Sequence, residues 1–115
     1  MNNEESRIQR TCVKWFRLAY REPNYLIFAI PNGGNRNAIT GIIMKGEGVR
    51  AGIPDLIITT RQKVLFVEMK STKGKQNPNQ IEVMNMLRSF GYDYAVCRSF
   101  DEFREYVIKH IGISK

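Results

Sequence analysis

The chain has 115 residues, enough for one hydrophobic core and no second. Eighteen Lys and Arg against eleven Asp and Glu leave a net charge of +7, which points to a polyanionic partner, nucleic acid first. With 43% hydrophobic and 10% aromatic residues the chain can bury a core, so disorder is excluded, and collagen-like, coiled-coil and disulfide-scaffold classes fall away with it.

The two cysteines, Cys12 and Cys97, have no Cys or His partner at metal-ligand spacing and read as buried thiols. The polar, acidic start carries no signal-peptide pattern, and no apolar run approaches the roughly 18 residues of a membrane span. A cytoplasmic protein without membrane contact is expected. The single histidine, His110, argues against zinc-centred and His-nucleophile chemistry and suits the dipole at the end of the last helix.

In chain order, residues 4–20 have helical spacing, with Ile8, Cys12, Trp15, Phe16 and Ala19 on one side. On the other, Arg7, Arg10, Lys14, Arg17 and Arg21 recur at alternating steps of three and four, a continuous stripe of cations. Two readings stay open for it: a solvated face, or a phosphate-binding one. Solvated faces normally mix signs, and this stripe does not.

Residues 25–30 read as a first strand, ended by the turn cluster Pro31-Asn32-Gly33-Gly34. A helix of about ten residues follows and ends near Gly46. Residues 55–60 and 64–70 form two strands close enough for a hairpin, apolar on both faces and so expected to be covered on both. The polar segment with Lys73, Gly74 and Lys75 suggests a mobile cationic loop, whose lysines either contact a nucleic-acid backbone or only solubilise. Asn77-Pro78-Asn79-Gln80 opens a helix with a capping box, and Ile81, Met84, Leu87 and Phe90 are expected to form its buried face up to Gly91. A strand over 92–97 and a helix capped by Ser99 and Glu102, with Phe103, Tyr106, Val107 and Ile111 inward, complete the chain. The expected fold is a single α/β domain over residues 1–115, αβαββαβα, with a mixed four-stranded sheet flanked by helices and a right-handed crossover into the fourth strand.

Chemistry-bearing residues gather at one end of that sheet. Glu68 and Lys70 share a strand face, and a hairpin register in which paired residue numbers sum to about 123 brings Asp55 beside Glu68. Two carboxylates and an ammonium in an apolar sheet are costly unless a cation or a function compensates them. Asp and Glu oxygens suit Mg²⁺ or Mn²⁺, which would neutralise a scissile phosphate and acidify a bound water, while Lys70 could orient or deprotonate that water. Glu5, Gln9, Cys12 and Phe16 make one inward i, i+4 line, so Glu5 is either a first-turn acid or a further ligand. Asn32, Gly33, Gly34 and Arg36 form either an ordinary turn or a phosphate-binding loop. Gly46-x-Gly48-x-x-Ala51 follows a helix, which excludes a dinucleotide fingerprint, and no nucleoside-triphosphate loop exists, so no nucleotide cofactor is expected.

Together, Glu5-x-x-x-Gln9, Ile30-Pro31-Asn32-Gly33-Gly34-x-Arg36, Gly48-Val49-x-Ala51-Gly52-Ile53-Pro54-Asp55, Val67-Glu68-x-Lys70 and Gln80 resemble the virus-type replication-repair nuclease (VRR-NUC) domain, over 5 to about 107. The resemblance implies the restriction-endonuclease-like PD-(D/E)xK fold. It implies Asp55, Glu68, Met69 and Glu5 as ligands of Mg²⁺ or Mn²⁺, Lys70 as catalytic, and Gln80 and Glu5, or Glu4 in another register, as additional site positions. It also implies a homodimer that cleaves branched DNA such as four-way junctions. The charge pattern and the turn cluster themselves put Arg7, Arg10, Lys14, Arg17, Asn32, Gly33, Gly34, Arg36, Lys73 and Lys75 forward as the DNA contacts. Rival readings are a non-catalytic DNA-binding module and a single-chain nuclease that nicks flaps.

Overall fold

In the computed structural model, residues 3–31 and 38–113 are described, the side chains of 38–40 excepted. The helical stripe at the start becomes α1 (Asn3–Ala19), followed by β1 (Leu26–Ala29) and α2 (Ala38–Gly46). The hairpin is β2 (Leu56–Thr59) and β3 (Val64–Met69), after which come α3 (Pro78–Ser89), β4 (Asp93–Cys97) and α4 (Phe100–Ile111). The expected order αβαββαβα is the observed one.

The strands lie in the order β1-β2-β3-β4, antiparallel for the first two pairs and parallel for the last. Leu56 pairs with Val67 and Ile57 with Phe66, so the hairpin register sums to 123, as read from the sequence. Alternation then sends Leu56, Ile58, Leu65, Val67, Met69 and Cys97 to one face, where α1 and α4 cover them with Cys12, Phe16, Phe103 and Val107. Burial pushes both thiols in this core, Cys12 and Cys97, up to about 12, so they are protonated and inert at neutral pH.

The opposite face is covered unevenly. α3 shields the β4 side, where the Arg88 guanidinium sits 5.7 Å from the Tyr94 ring centre. At β1, Leu26 and Phe28 remain exposed, so two-sided apolarity does not bring two-sided cover along the whole sheet.

The capping box of α3 forms as expected, with Gln80 N donating to Asn77 Oδ1 and Asn77 N to Gln80 Oε1, both at 2.9 Å. Its inward face is a correction: Val83 is buried and Met84 and Leu87 partly so, while Ile81 and Phe90 are exposed. The stripe 80, 83, 84, 87 meets the sheet because β4 approaches α3 from that side, which a helical spacing of apolar residues does not fix on its own. At α4, Ser99 Oγ accepts from Glu102 N at 3.1 Å, but the Glu102 carboxylate takes Arg98 N at 2.6 Å, so the reciprocal half of the expected box is shifted by one residue.

Candidate active site

Hairpin register and strand alternation set the site at the end of β3. Glu68 is 1% exposed on the face opposite the core. Its Oε1 accepts from the Tyr94 hydroxyl at 2.9 Å and from Gln76 Nε2 at 3.2 Å. Its Oε2 is buried without a hydrogen-bond partner among the described residues, and the nearest cation is Lys70 Nζ at 3.8 Å. A carboxylate fixed through one oxygen therefore presents the other toward the Lys70 side.

Asp55 precedes β2 by one residue, and its Oδ2 accepts from Met69 N at 2.7 Å, which ties the aspartate to the strand that carries Glu68. Ile30 N donates to Asp55 O at 3.0 Å and extends the ladder from β1 to the same point. The loop before Asp55 is fixed by Gly52: its φ of 86° is left-handed, and a Cβ there would collide with the Asn79 carbonyl at the start of α3. Lys70 follows β3, its backbone N–H on Cys97 O at 3.0 Å, and is largely buried.

Electrostatics favours a permanent donor at Tyr94. Burial first, and then the charge of Glu68, push its hydroxyl well above the usual tyrosine range, so it keeps its proton for Glu68 at any physiological pH. Glu4 is also engaged: Oε1 accepts from Thr72 N at 3.1 Å and Thr72 Oγ1 at 2.9 Å, and these bonds hold its carboxyl below the ordinary range.

The structure thus brings together Asp55, Glu68 and Lys70, with Met69 supplying main chain. Among the described residues no group of three or more acidic, His or Cys side chains is arranged to hold a metal ion. Gln80 directs its side-chain oxygen to its own helix cap rather than to Glu68. Arg7, Arg10, Lys14, Arg17, Lys73 and Lys75 are exposed as a phosphate-binding role requires. The loop bearing the last two is fastened, contrary to expectation, by the Arg98 guanidinium on the carbonyls of Ser71 and Gly74 and by Thr72 on Glu4. Asn32, Gly33, Gly34 and Arg36 lie outside the described residues.

Two site residues escaped the sequence reading. Gln76 comes from the loop after β3. Tyr94 shares its face with Glu68 because β3 and β4 run parallel, with Phe66 opposite Tyr94 and Glu68 opposite Val96. A tyrosine in an apolar strand needs a partner for its hydroxyl, and that was the available signal.

The fold is a mixed four-stranded α/β sheet flanked by helices, with Asp55, Glu68 and Lys70 at the end of its hairpin. The VRR-NUC domain family matches residues 3–101, and the chain belongs to that family of nuclease domains. Two solved structures described as a VRR-NUC domain and a VRR-NUC domain protein share the fold. The first has 24% identity and a TM-score of 0.67 over 96% of this chain and 99% of its own. The second has 22% identity and a TM-score of 0.76 over 100% and 98%. A Holliday junction resolvase, Hjc of Archaeoglobus fulgidus, is similar over 82% of this chain and 67% of its own, at 15% identity and a TM-score of 0.50. Comparison with curated proteins returns no match. No helix among the described residues is long and apolar enough to cross a membrane.

Proposed function

We propose that the protein is a divalent-metal-dependent endonuclease that hydrolyses phosphodiester bonds in branched DNA, four-way junctions included, and acts as a homodimer. The observation that carries the reading is Glu68, a buried carboxylate with one oxygen held by Tyr94 and Gln76 and the other in a 3.8 Å ion pair with Lys70 but without a hydrogen bond among the described residues. An anionic oxygen without a hydrogen bond in a low-dielectric setting is expensive, and a cation satisfies it.

The donor set fits Mg²⁺ or Mn²⁺, since the carboxylates of Asp55 and Glu68 are hard oxygens. Met69 can add only its carbonyl, because its side chain is buried in the core. Glu5 remains a candidate for contact through water. When bound, the ion supplies charge neutralisation at the scissile phosphate and a more acidic water. Lys70, held near Glu68, orients the attacking water and stabilises charge that develops on the phosphate. Tyr94 keeps Glu68 in one orientation, and Asp55 is kept in place by Met69 N. Arg7, Arg10, Lys14, Arg17, Lys73 and Lys75 bind the backbone without reading sequence.

Support for a dimer comes from α2, whose Ile42 is 70% exposed and Ile43 nearly as much so, a surface that a second copy would bury. Support for branched DNA comes from the likeness to a junction resolvase. The test is cleavage of a labelled four-way junction with Mg²⁺, expected to vanish in Asp55→Ala, Glu68→Ala and Lys70→Ala. Undiminished cleavage in these variants would remove the catalytic assignment.

A further inference from the structure

Between α1 and the outer edge of β1 lies an open groove of about 590 Å³. Arg10, Lys14 and Arg17 line it together with the apolar surface of Leu18, Phe28 and Ala29. Leu18 is 72% exposed and Phe28 38%, so large apolar side chains stand in water next to three cations. A merely solvated helix face has no need of that combination.

The groove leads away from the catalytic end. Ala29 pairs with Leu56, the neighbour of Asp55. An open groove with an apolar floor takes the exposed faces of unpaired bases, which a duplex keeps stacked inside.

Charge decides between occupants. β1 is the outer strand, and because Ile30 and Phe28 turn their main chains toward β2, the main-chain groups of Ile27 and Ala29 face outward. Arg17 Nη2 already donates to Ile27 O at 3.4 Å, taking an acceptor that an added strand would use. A second copy on this edge would also set like charge against like. A single nucleic-acid strand meets both halves of the groove, phosphates on the cations and base faces on the apolar lining.

We propose that the groove between α1 and β1 holds unpaired nucleotides, with the backbone on Arg10, Lys14 and Arg17 and bases against Leu18 and Phe28. This deepens the nuclease reading and rests on it: it adds a single-strand site to the face that carries the basic stripe.

Fluorescence anisotropy in the presence of a chelator, with a labelled oligothymidine of about ten nucleotides and a duplex of equal length, tests the groove apart from catalysis. Leu18→Asn and Phe28→Asn change no charge and are expected to weaken single-strand binding about tenfold while leaving duplex binding within about twofold. Ile113→Asn, an equally exposed apolar position outside the groove, should change neither. Equal losses on both ligands, or no loss on the single strand in Leu18→Asn, would overturn the proposal. So would light scattering that shows Leu18→Asn dissolving a dimer. Because no cleavage is needed for this readout, an inactive active site would leave it standing, and failure of the groove would leave metal-dependent cleavage untouched.

Discussion

The two ends of β3 and β4 carry similar residues in opposite settings. At one end Asp93 stands 4.0 Å from Lys63 Nζ and 3.6 Å from His110 Nδ1, with Lys63 exposed and the other two partly so. At the other, Glu68 and Lys70 are buried, and Glu68 keeps an oxygen without a hydrogen bond. Water screens the first cluster, so its charges cost little and contribute little. The second has no such screen, and folding alone gives no reason to keep it. The difference marks the buried pair as the candidate site and the exposed cluster as an ordinary surface ion group.

The widest separation is expected in catalysis. Glu68→Gln should lower junction cleavage by about a thousandfold or more, as loss of a principal electrostatic element does, whereas Asp93→Asn should leave the rate within about twofold. Equal effects in a gel-based cleavage assay would erase the distinction. Next in size is metal linkage. Mn²⁺ at about a hundred times its Kd should stabilise the fold by about 2.7 kcal/mol, read as a higher Tm. That gain should be absent in Glu68→Gln and intact in Asp93→Asn; if Glu68→Gln retains it, the ion binds elsewhere.

Tyr94→Phe is smaller and sharper. Loss of its hydrogen bond should cost about 1 kcal/mol of stability and about tenfold in cleavage, with more Mn²⁺ needed for half-maximal rate. An unchanged Mn²⁺ requirement would reduce Tyr94 to packing. Smallest is Lys63→Ala, expected to cost about 0.5 kcal/mol or less in urea denaturation. A loss of several times that would mean that the exposed cluster also holds the fold.

Much of this contrast was legible before folding. Alternation and the hairpin register gave Asp55 beside Glu68, since a two-residue period leaves few choices once both strands are apolar. The inward face of α1 and the cap of α3 followed from spacing and from Asn77 and Pro78 in the same way. What escaped depends on contacts between elements distant in the chain. Tyr94 reaches Glu68 only through a parallel pairing set by the crossover, and Ile81 and Phe90 are exposed because β4 selects another stripe of α3. Gln80 could be read both as a cap and as a site residue, and its side-chain oxygen forms the cap.

Gly52 gives this arrangement a mechanical consequence. Its close approach to Asn79 seats the Asp55 loop on the first turn of α3, so two segments some 25 residues apart form one bearing surface. A side chain at Gly52, or a frayed cap at Asn77, would loosen the same joint from opposite sides. Gly52→Ala and Asn77→Ala should therefore share a phenotype in isothermal titration, weaker Mn²⁺ binding by a fold that still melts cooperatively, with the cap loss near 1 kcal/mol. If only one of them weakens the metal, the joint is not shared. A change at the start of α3 would thus reach Asp55 through the backbone joint at Gly52.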